Sequence, residues 1–309
     1  MRTNTLQLGE QNLTSQDYKA KADTVFDLLD VSELTKKDYK TRIDLFLEFV
    51  KKNGATPNSY RLYKQHLASR NDLTVSTKNK YLTSAKVFLK ELNRQGAIPA
   101  DITQNTKGFS QDKKHKKDGL SDDEIAKLSV QLQSMTNTPQ NSRLRAIITL
   151  LALQGLRQIE IIRLDVKDID LVSKVAFVRG KGRDDKEPID LHPETAEVLR
   201  DYIKTNKKKD GAMFTSNSNR ATDDDRLTTR SLRRIVRATL QGLGIDKTTH
   251  GFRHYFTTTL IKTYKGDLLE VAQYTRHRGL EMLQVYNDSV KKKADLPRYY
   301  NAFSGVSFN

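Results

Sequence analysis

The stretch "RLRAIITLLALQGLRQIEIIRL" constrains the fold more than any other part of the chain. It is apolar nearly all round until Gly155, so a helix formed there has no face for water and must sit inside a core. Gly155 then frees the backbone for a break, and a second helical turn begins at Arg157. The runs that follow, "VKDIDLV", "KVAFVRG" and "EPIDL", are short and β-branched or alternating, with "SK" and "GKGRDDK" between them. That pattern predicts a small antiparallel sheet with a charged hairpin. Helical periods resume in "HPETAEVLRDYIKTN", "TTRSLRRIVRATLQGLG" and "THGFRHYFTTTLIKTY". "LEVAQYTRHRGLEMLQVYND" reads as two short amphipathic helices.

The N-terminal part has a different period. In "TKKDYKTRIDLFLEFVKKNG", Tyr39, Ile43, Phe46 and Val50 share a face, Thr35 with Asp38 resembles a capping box, and Gly54 supplies the stop. A further helix opens near Pro57, and another repeats the pattern through Tyr81, Ala85, Phe88 and Leu92 before Gly96. With "DYKAKADTVFDLL" this makes about four helices and a compact helical domain over 14–105. Residues 1–13 read as a flexible N-terminus, 106–119 as a basic linker containing Lys113, Lys114, Lys116 and Lys117, and 120–290 as the second domain. Ser121 and Glu124 give that domain a capping-box start. The tail, 291–309, reads as one more short helix after a flexible basic joint. The fold class expected is therefore mainly α with a small antiparallel β-sheet, in two domains.

Charge narrows the function. The chain has 54 Lys and Arg against 38 Asp and Glu, a formal net charge of +16. A polyanion is the natural counterpart, because neutralising phosphates releases condensed counterions. No stretch reaches the length of apolar residues needed to span a bilayer and no signal-peptide core follows Met1, so the expected location is cytoplasmic. With no cysteine, disulfides, thiolate metal sites and cysteine nucleophiles are excluded together. Covalent chemistry must then fall to Ser, Thr, Tyr, Lys, His or a carboxylate.

Four islands in the second domain combine a cation or histidine with a glycine break or a helix end. In "GLRQIE", Arg157 and Glu160 share a face, which alone is more often a surface ion pair. "VRGKGRDDK" puts Lys181 between two glycines at a hairpin tip; it is either a solvated turn residue or an ammonium to present to a leaving oxygen, with Arg183 and Lys186 as rivals. In "HGFRHYF", His250, Arg253 and His254 lie at i, i+3 and i+4. Two such histidines can also grip zinc with His277 as third ligand, but no Glu lies between them as in a zincin. Tyr286 follows His277 by nine positions and is either a core aromatic or a nucleophile. Together the islands suit phosphodiester transfer: Arg157 and Arg253 can match the nonbridging oxygens, and a cationic pocket with a nearby base would favour the phenolate of Tyr286.

In this order and spacing the islands resemble the tyrosine recombinase family of phage integrases and Xer-type enzymes: "GLRQIE" its first arginine box, "HGFRH" its H-x-x-R box, and "TRHRGLEMLQVY" its last box. The resemblance implies Tyr286 as nucleophile, Arg157 and Arg253 as phosphate clamps, Lys181 as general acid to the 5′ oxygen, His250 as general base, His277 as a further hydrogen-bond donor and Glu160 as a supporting carboxylate. It implies a core-binding domain of the SAM-like type and a catalytic domain closing as a C-shaped clamp on DNA. It further implies a 3′-phosphotyrosine intermediate and a Holliday junction, without metal, ATP or other cofactor. The implied partner is duplex DNA with short inverted core sites, held by a homotetramer or by a tetramer shared with a second recombinase, with the C-terminal tail docking on a neighbouring protomer. The setting is the nucleoid of a prokaryote, a virus or a mobile element.

Arg230, Arg233, Arg234 and the linker lysines are the expected DNA contacts, together with Arg276. This last stands where the family usually has glycine in a Leu-Gly pair, here Thr275-Arg276. Ile159 replaces a usually small residue. Tyr299 and Tyr300 are rival tyrosines, but neither lies nine residues from a histidine. The short stretch before residue 20 leaves little room for the arm-binding domain of larger integrases, which favours a simple Xer-like enzyme. Two alternatives stand beside this: a nicking and closing activity like that of type IB topoisomerases, and a basic DNA-binding protein without catalysis.

Overall fold

The computed structural model describes residues 15–111, 119–180, 182–216, 225–277 and 279–305. The chain divides into two compact units, Met1–Asp112 and Lys113–Asn309. The expected flexible segment 1–13, the linker lysines Lys113, Lys114, Lys116 and Lys117, and the hairpin residue Lys181 lie outside the described residues.

The first unit contains α1 (Ser15–Asp27), α2 (Glu33–Asn53), α3 (Ser59–Ser69) and α4 (Val75–Arg94). Phe26, Ile43, Phe46, Tyr60, Tyr63, Leu67, Leu82, Ala85 and Phe88 form its core, and Tyr39, Val50, Tyr81 and Leu92 pack around the margin. The phenol of Tyr60 donates to the carbonyl of Leu82 at 3.2 Å, so this aromatic enters the core without an orphaned hydroxyl. Two local readings need correction. Ser32, not Thr35, caps α2: its hydroxyl accepts from the Thr35 amide, which starts the helix at Glu33. Pro57 precedes the cap residue Asn58 of α3 and stands outside the helix. The stretch read as the start of the linker also packs on this unit. Asn79 brackets Phe109, donating to its carbonyl at 3.0 Å and accepting from its amide at 2.8 Å.

In the second unit, α5 (Asp122–Ser134), α6 (Pro139–Leu153) and α7 (Gln158–Arg163) precede β1 (Ile169–Asp170), β2 (Val175–Val178) and β3 (Glu187–Asp190). The strands form an antiparallel sheet in the order β1-β2-β3, with Ile169 opposite Ala176 and Phe177 opposite Pro188. The helices α8 (Pro193–Thr205), α9 (Thr229–Gly242), α10 (Thr249–Thr263), α11 (Leu268–Thr275) and α12 (Leu280–Asn301) complete it. The mainly helical fold with one small antiparallel sheet is as expected. The apolar segment before Gly155 is α6, and Ala146, Ile147, Leu150 and Leu151 are all buried in the main core. A second, smaller cluster joins Ile261 of α10, Val271 of α11, and Leu283 and Tyr286 of α12. The flexible joint expected at 291 is absent from the described tail: α12 runs unbroken through Lys291, Lys292 and Lys293, good helix formers with nothing to stop them, and even past Pro297.

Ser121 and Glu124 make the reciprocal cap of α5 at 3.1 and 2.8 Å. Ser121→Ala should lower the stability of this unit by about 1 kcal/mol, read from urea unfolding.

Candidate active site

Backbone geometry explains the first island. Gly155 follows the end of α6 at φ +56°, and a Cβ there would overlap the ring of Phe256. Any other residue would suffer both the left-handed conformation and the clash. The chain then turns so that Arg157 becomes the N-cap of α7 and Glu160 its third residue. Glu160 reaches back: Oε2 accepts from the Arg157 amide at 2.8 Å and Oε1 from its Nη1 at 2.9 Å. The carboxylate is 1% exposed while Arg157 stays 36% exposed, so the buried acid anchors an arginine whose remaining donors can meet a ligand.

Arg253 comes from α10 and is 3% exposed. Its Nη1 donates to the carbonyl of Gly155 at 2.7 Å and its Nη2 to that of Thr275 at 2.6 Å. Burial, aided by the like charges of Arg157 and Arg276, pulls this guanidinium down to about 10, which leaves it cationic at neutral pH. His277 approaches the same Nη2 at 3.5 Å through Nε2, and its Nδ1 lies 2.8 Å from the Thr275 hydroxyl. His250 and His254 share a stripe but not an environment. His250 is exposed in the first turn of α10, whereas His254, one turn deeper, is 8% exposed and meets the ring of Tyr286 edge-on at 4.9 Å.

Tyr286 is 2% exposed and part of the small core cluster, with His277 6.3 Å away between ring centroids. Burial pushes its hydroxyl above the ordinary 10, and Arg253 and Arg157 only partly offset this. The expectation that the cationic pocket favours a phenolate is therefore corrected for the free protein: desolvation of the anion outweighs the two guanidinium charges, and the phenol stays protonated.

Of the residues read from the sequence, Arg157, Glu160, Arg253, His277 and Tyr286 come together. His250 sits on the same helix at the exposed end. The rivals to Lys181 are engaged elsewhere: Lys186 binds Asp168 at 2.5 and 2.7 Å, and Arg183 pairs with Glu187. Arg230, Arg233 and Arg234 lie on the exposed face of α9, joined there by Arg237, while Leu232, Val236 and Leu240 hold the other face in the core. Arg276 does not belong with them. It occupies the left-handed position closing α11, and its side chain, 7% exposed, turns inward to Glu160 at 2.9 Å. In the free protein the reversal of the chain aims its side chain at α7 and away from the exposed arginine face of α9. His254 was read from the sequence only as an extension of the His250–Arg253 face and a possible zinc ligand, and Thr275 only as a departure from the usual Leu-Gly pair; neither was given a part in the site. Among the described residues no group of three His, Cys, Asp or Glu side chains is placed to hold a metal ion.

Residues 120–293 match the phage integrase family, and the chain belongs to that family. The resemblance to tyrosine recombinases is thereby borne out. Tyrosine recombinase XerC of Lactobacillus delbrueckii subsp. bulgaricus is 26% identical over 253 residues, covering 77% of this chain and 82% of that protein. Tyrosine recombinase XerD of Oceanobacillus iheyensis is 29% identical over 231 residues, 71% of this chain and 73% of its own length. In fold, the chain is similar to XerH site-specific recombinase in a post-cleavage complex with palindromic difH substrate, with a TM-score of 0.73 at 18% identity over 92% of this chain and 84% of that one. A lambda integrase dimer bound to a COC' core site gives 0.65 at 13% identity, covering 88% and 94%.

Burial alone would push the Glu160 carboxyl up, but Arg276 and then Arg157 outweigh it and hold the group below its ordinary 4.5. Glu160→Gln would leave the two guanidiniums without their buried counter-charge and should destabilise the unit by about 3 to 5 kcal/mol at pH 7. A folded-state value below the unfolded one means stability that is present above pH 4.5 and lost as pH falls through the depressed value. Chemical denaturation across pH should therefore show the gap between wild type and variant closing on acidification below 4.5.

Proposed function

We propose that this protein is a site-specific DNA recombinase that cleaves and rejoins duplex DNA through a 3′-phosphotyrosine intermediate. The observation that carries the reading is the convergence of Arg157, Arg253 and His277 on Tyr286 in a chain of the phage integrase family. The phenol oxygen of Tyr286 attacks the scissile phosphorus and the bond to the 5′ oxygen breaks. Arg157 and Arg253 stabilise the charge that develops on the nonbridging oxygens, with His277 as a further donor. Lys181, by the family resemblance, protonates the departing 5′ oxygen; the ion pairs of its rivals Lys186 and Arg183 support that choice.

The phenol needs a base for a simple reason. An incoming phosphate neutralises the guanidiniums, so their charge cannot ionise a buried tyrosine once the substrate is in place. His250 takes that role by the family resemblance. A 5′ hydroxyl from a second duplex then attacks the phosphotyrosine, the phenol is released, and the energy of the broken bond is kept without ATP.

The partner is duplex DNA with short inverted core sites, and the active form is a tetramer passing through a Holliday junction. XerH and lambda integrase, whose folds this chain shares, are seen on difH substrate and on core-site DNA, and a lambda integrase tetramer on a Holliday junction has a TM-score of 0.65 with it. The basic face of α9 is the complementary surface in this unit. No helix of the described residues is long and apolar enough to cross a membrane, and the proposed place of action is the cytoplasm, at the nucleoid.

Nicked duplexes drawn from the neighbouring DNA should trap a denaturation-resistant protein–DNA band that disappears in Tyr286→Phe. A band that persists in the variant would move the nucleophile elsewhere, and tight binding with no band would favour a DNA-binding protein. Relaxation of supercoils by the monomer without junctions would favour the type IB reading. Replacing Arg230, Arg233 and Arg234 with alanine should leave folding intact, since Leu232, Val236 and Leu240 carry the packing. Binding should weaken, with a salt slope shallower by roughly 0.9 for each phosphate that is no longer neutralised, measured by fluorescence anisotropy across salt.

A further inference from the structure

Arg276 stands in a backbone position that suits glycine or asparagine, at φ +54° and ψ +41°. Glycine would close α11 there without strain. The arginine side chain instead runs inward and is almost wholly enclosed. Its Nη2 binds Glu160 at 2.9 Å, and its Nη1 lies 3.9 Å from Glu187 at the start of β3. Glu187 also pairs with Arg183 in the turn that carries Lys181 in the sequence. Both Nε and Nη1 of Arg276 are buried without a hydrogen-bond partner, a free-energy cost that packing alone does not explain.

One charged side chain thus ties the anchor of Arg157 to the first residue of the hairpin's second strand. Four elements face the Glu160 carboxylate directly or at one remove. Arg157 opens its own helix, Arg253 comes from α10, Arg276 from the end of α11, and Tyr286 of α12 lies beyond Arg253. Glu187 of β3 is the second acid on Arg276.

We propose that Arg276 is a positioning residue for strand cleavage. It keeps Glu160 ionised and in place, so that Arg157 is aimed at the phosphate, and it fixes the base of the hairpin through Glu187. The inference rests on the recombinase reading above. Without Arg276 the buried carboxyl keeps its desolvation and loses its strongest counter-charge, so it takes up a proton at higher pH. A site that needs the carboxylate is active above that group's pKa and fails as pH falls through it. Removing Arg276 therefore moves the acid limb of the cleavage rate to higher pH.

The test measures cleavage of the nicked duplex against pH, and DNA affinity separately, for wild type, Arg276→Gly, Arg276→Asn and Arg276→Lys. The Gly and Asn variants should fold and bind DNA as wild type does. Their cleavage should be slower by about ten- to a hundredfold at neutral pH, as expected for a small misplacement of a reacting group, with the acid limb displaced upward. Arg276→Lys, which restores a charge, should fall between. Wild-type rate and pH profile in the Gly and Asn variants would overturn the proposal. So would a rate loss with an unmoved profile that lysine does not rescue, or loss of the fold in both neutral variants, since each leaves Arg276 a merely structural part. NMR titration of Glu160 in wild type and Arg276→Asn reads the electrostatic half without DNA, and equal midpoints would also overturn it. If the wild type forms no adduct while that midpoint shifts as expected, the recombinase reading fails and the Arg276–Glu160 coupling stands.

Discussion

Two hydrogen bonds from one buried guanidinium organise the catalytic unit. Arg253 donates to the carbonyls of Gly155 and Thr275, residues 98 and 22 positions away in the chain, and so fixes the entry to α7 and the exit from α11 against α10. Carbonyls satisfy the donors without cancelling the charge. A buried cation partnered by dipoles keeps its field, and Arg253, Arg157 and Arg276 together outnumber the two acids beside them, Glu160 and Glu187. An anion entering the pocket finds the price of assembling the cations already met in the fold.

The same burial that sharpens the field restrains the proposed nucleophile, Tyr286. Tyr286 sits in a small apolar cluster with His254 against its ring, and desolvation holds its proton in place. The reactive group and the charges that would serve it are both preformed, yet the resting chemistry is that of an ordinary neutral tyrosine. On the proposed mechanism a proton acceptor must meet this phenol when the phosphate is in place, which separates having the residues from using them.

Much of this was legible in the sequence. Apolar patterning located most helices of both units and the sheet region, because most elements bury a face in a core, α6 is buried nearly all round, and only the first expected strand is cut short by a 3-10 turn. Chemistry and spacing located Arg157 and Glu160 after the Gly155 break, Arg253 three residues after His250, and Tyr286 nine after His277, and the family resemblance joined them into one site. Side-chain direction was the harder part. Arg276 read as a cation for DNA, since nothing in a string of letters says that a left-handed residue will swing its side chain back onto α7. His250 and His254 differ by one helical turn and read alike, but one is exposed and the other is buried with its ring against Tyr286. The N-cap of α2 fell three residues before its expected place because Ser32 and Thr35 each offer a hydroxyl, and the backbone selects the earlier.

The unbroken course of α12 sets the phenol of Tyr286 and the exposed Tyr299 and Tyr300 on one helix, with exposed Phe303 just past its end. From Tyr286 to Tyr300 the rise is about 21 Å at 1.5 Å per residue. The exposed aromatic end and the buried phenol thus share one continuous helix, with Pro297 near the exposed end. Whatever holds the far end of α12 therefore restrains the same backbone that carries Tyr286.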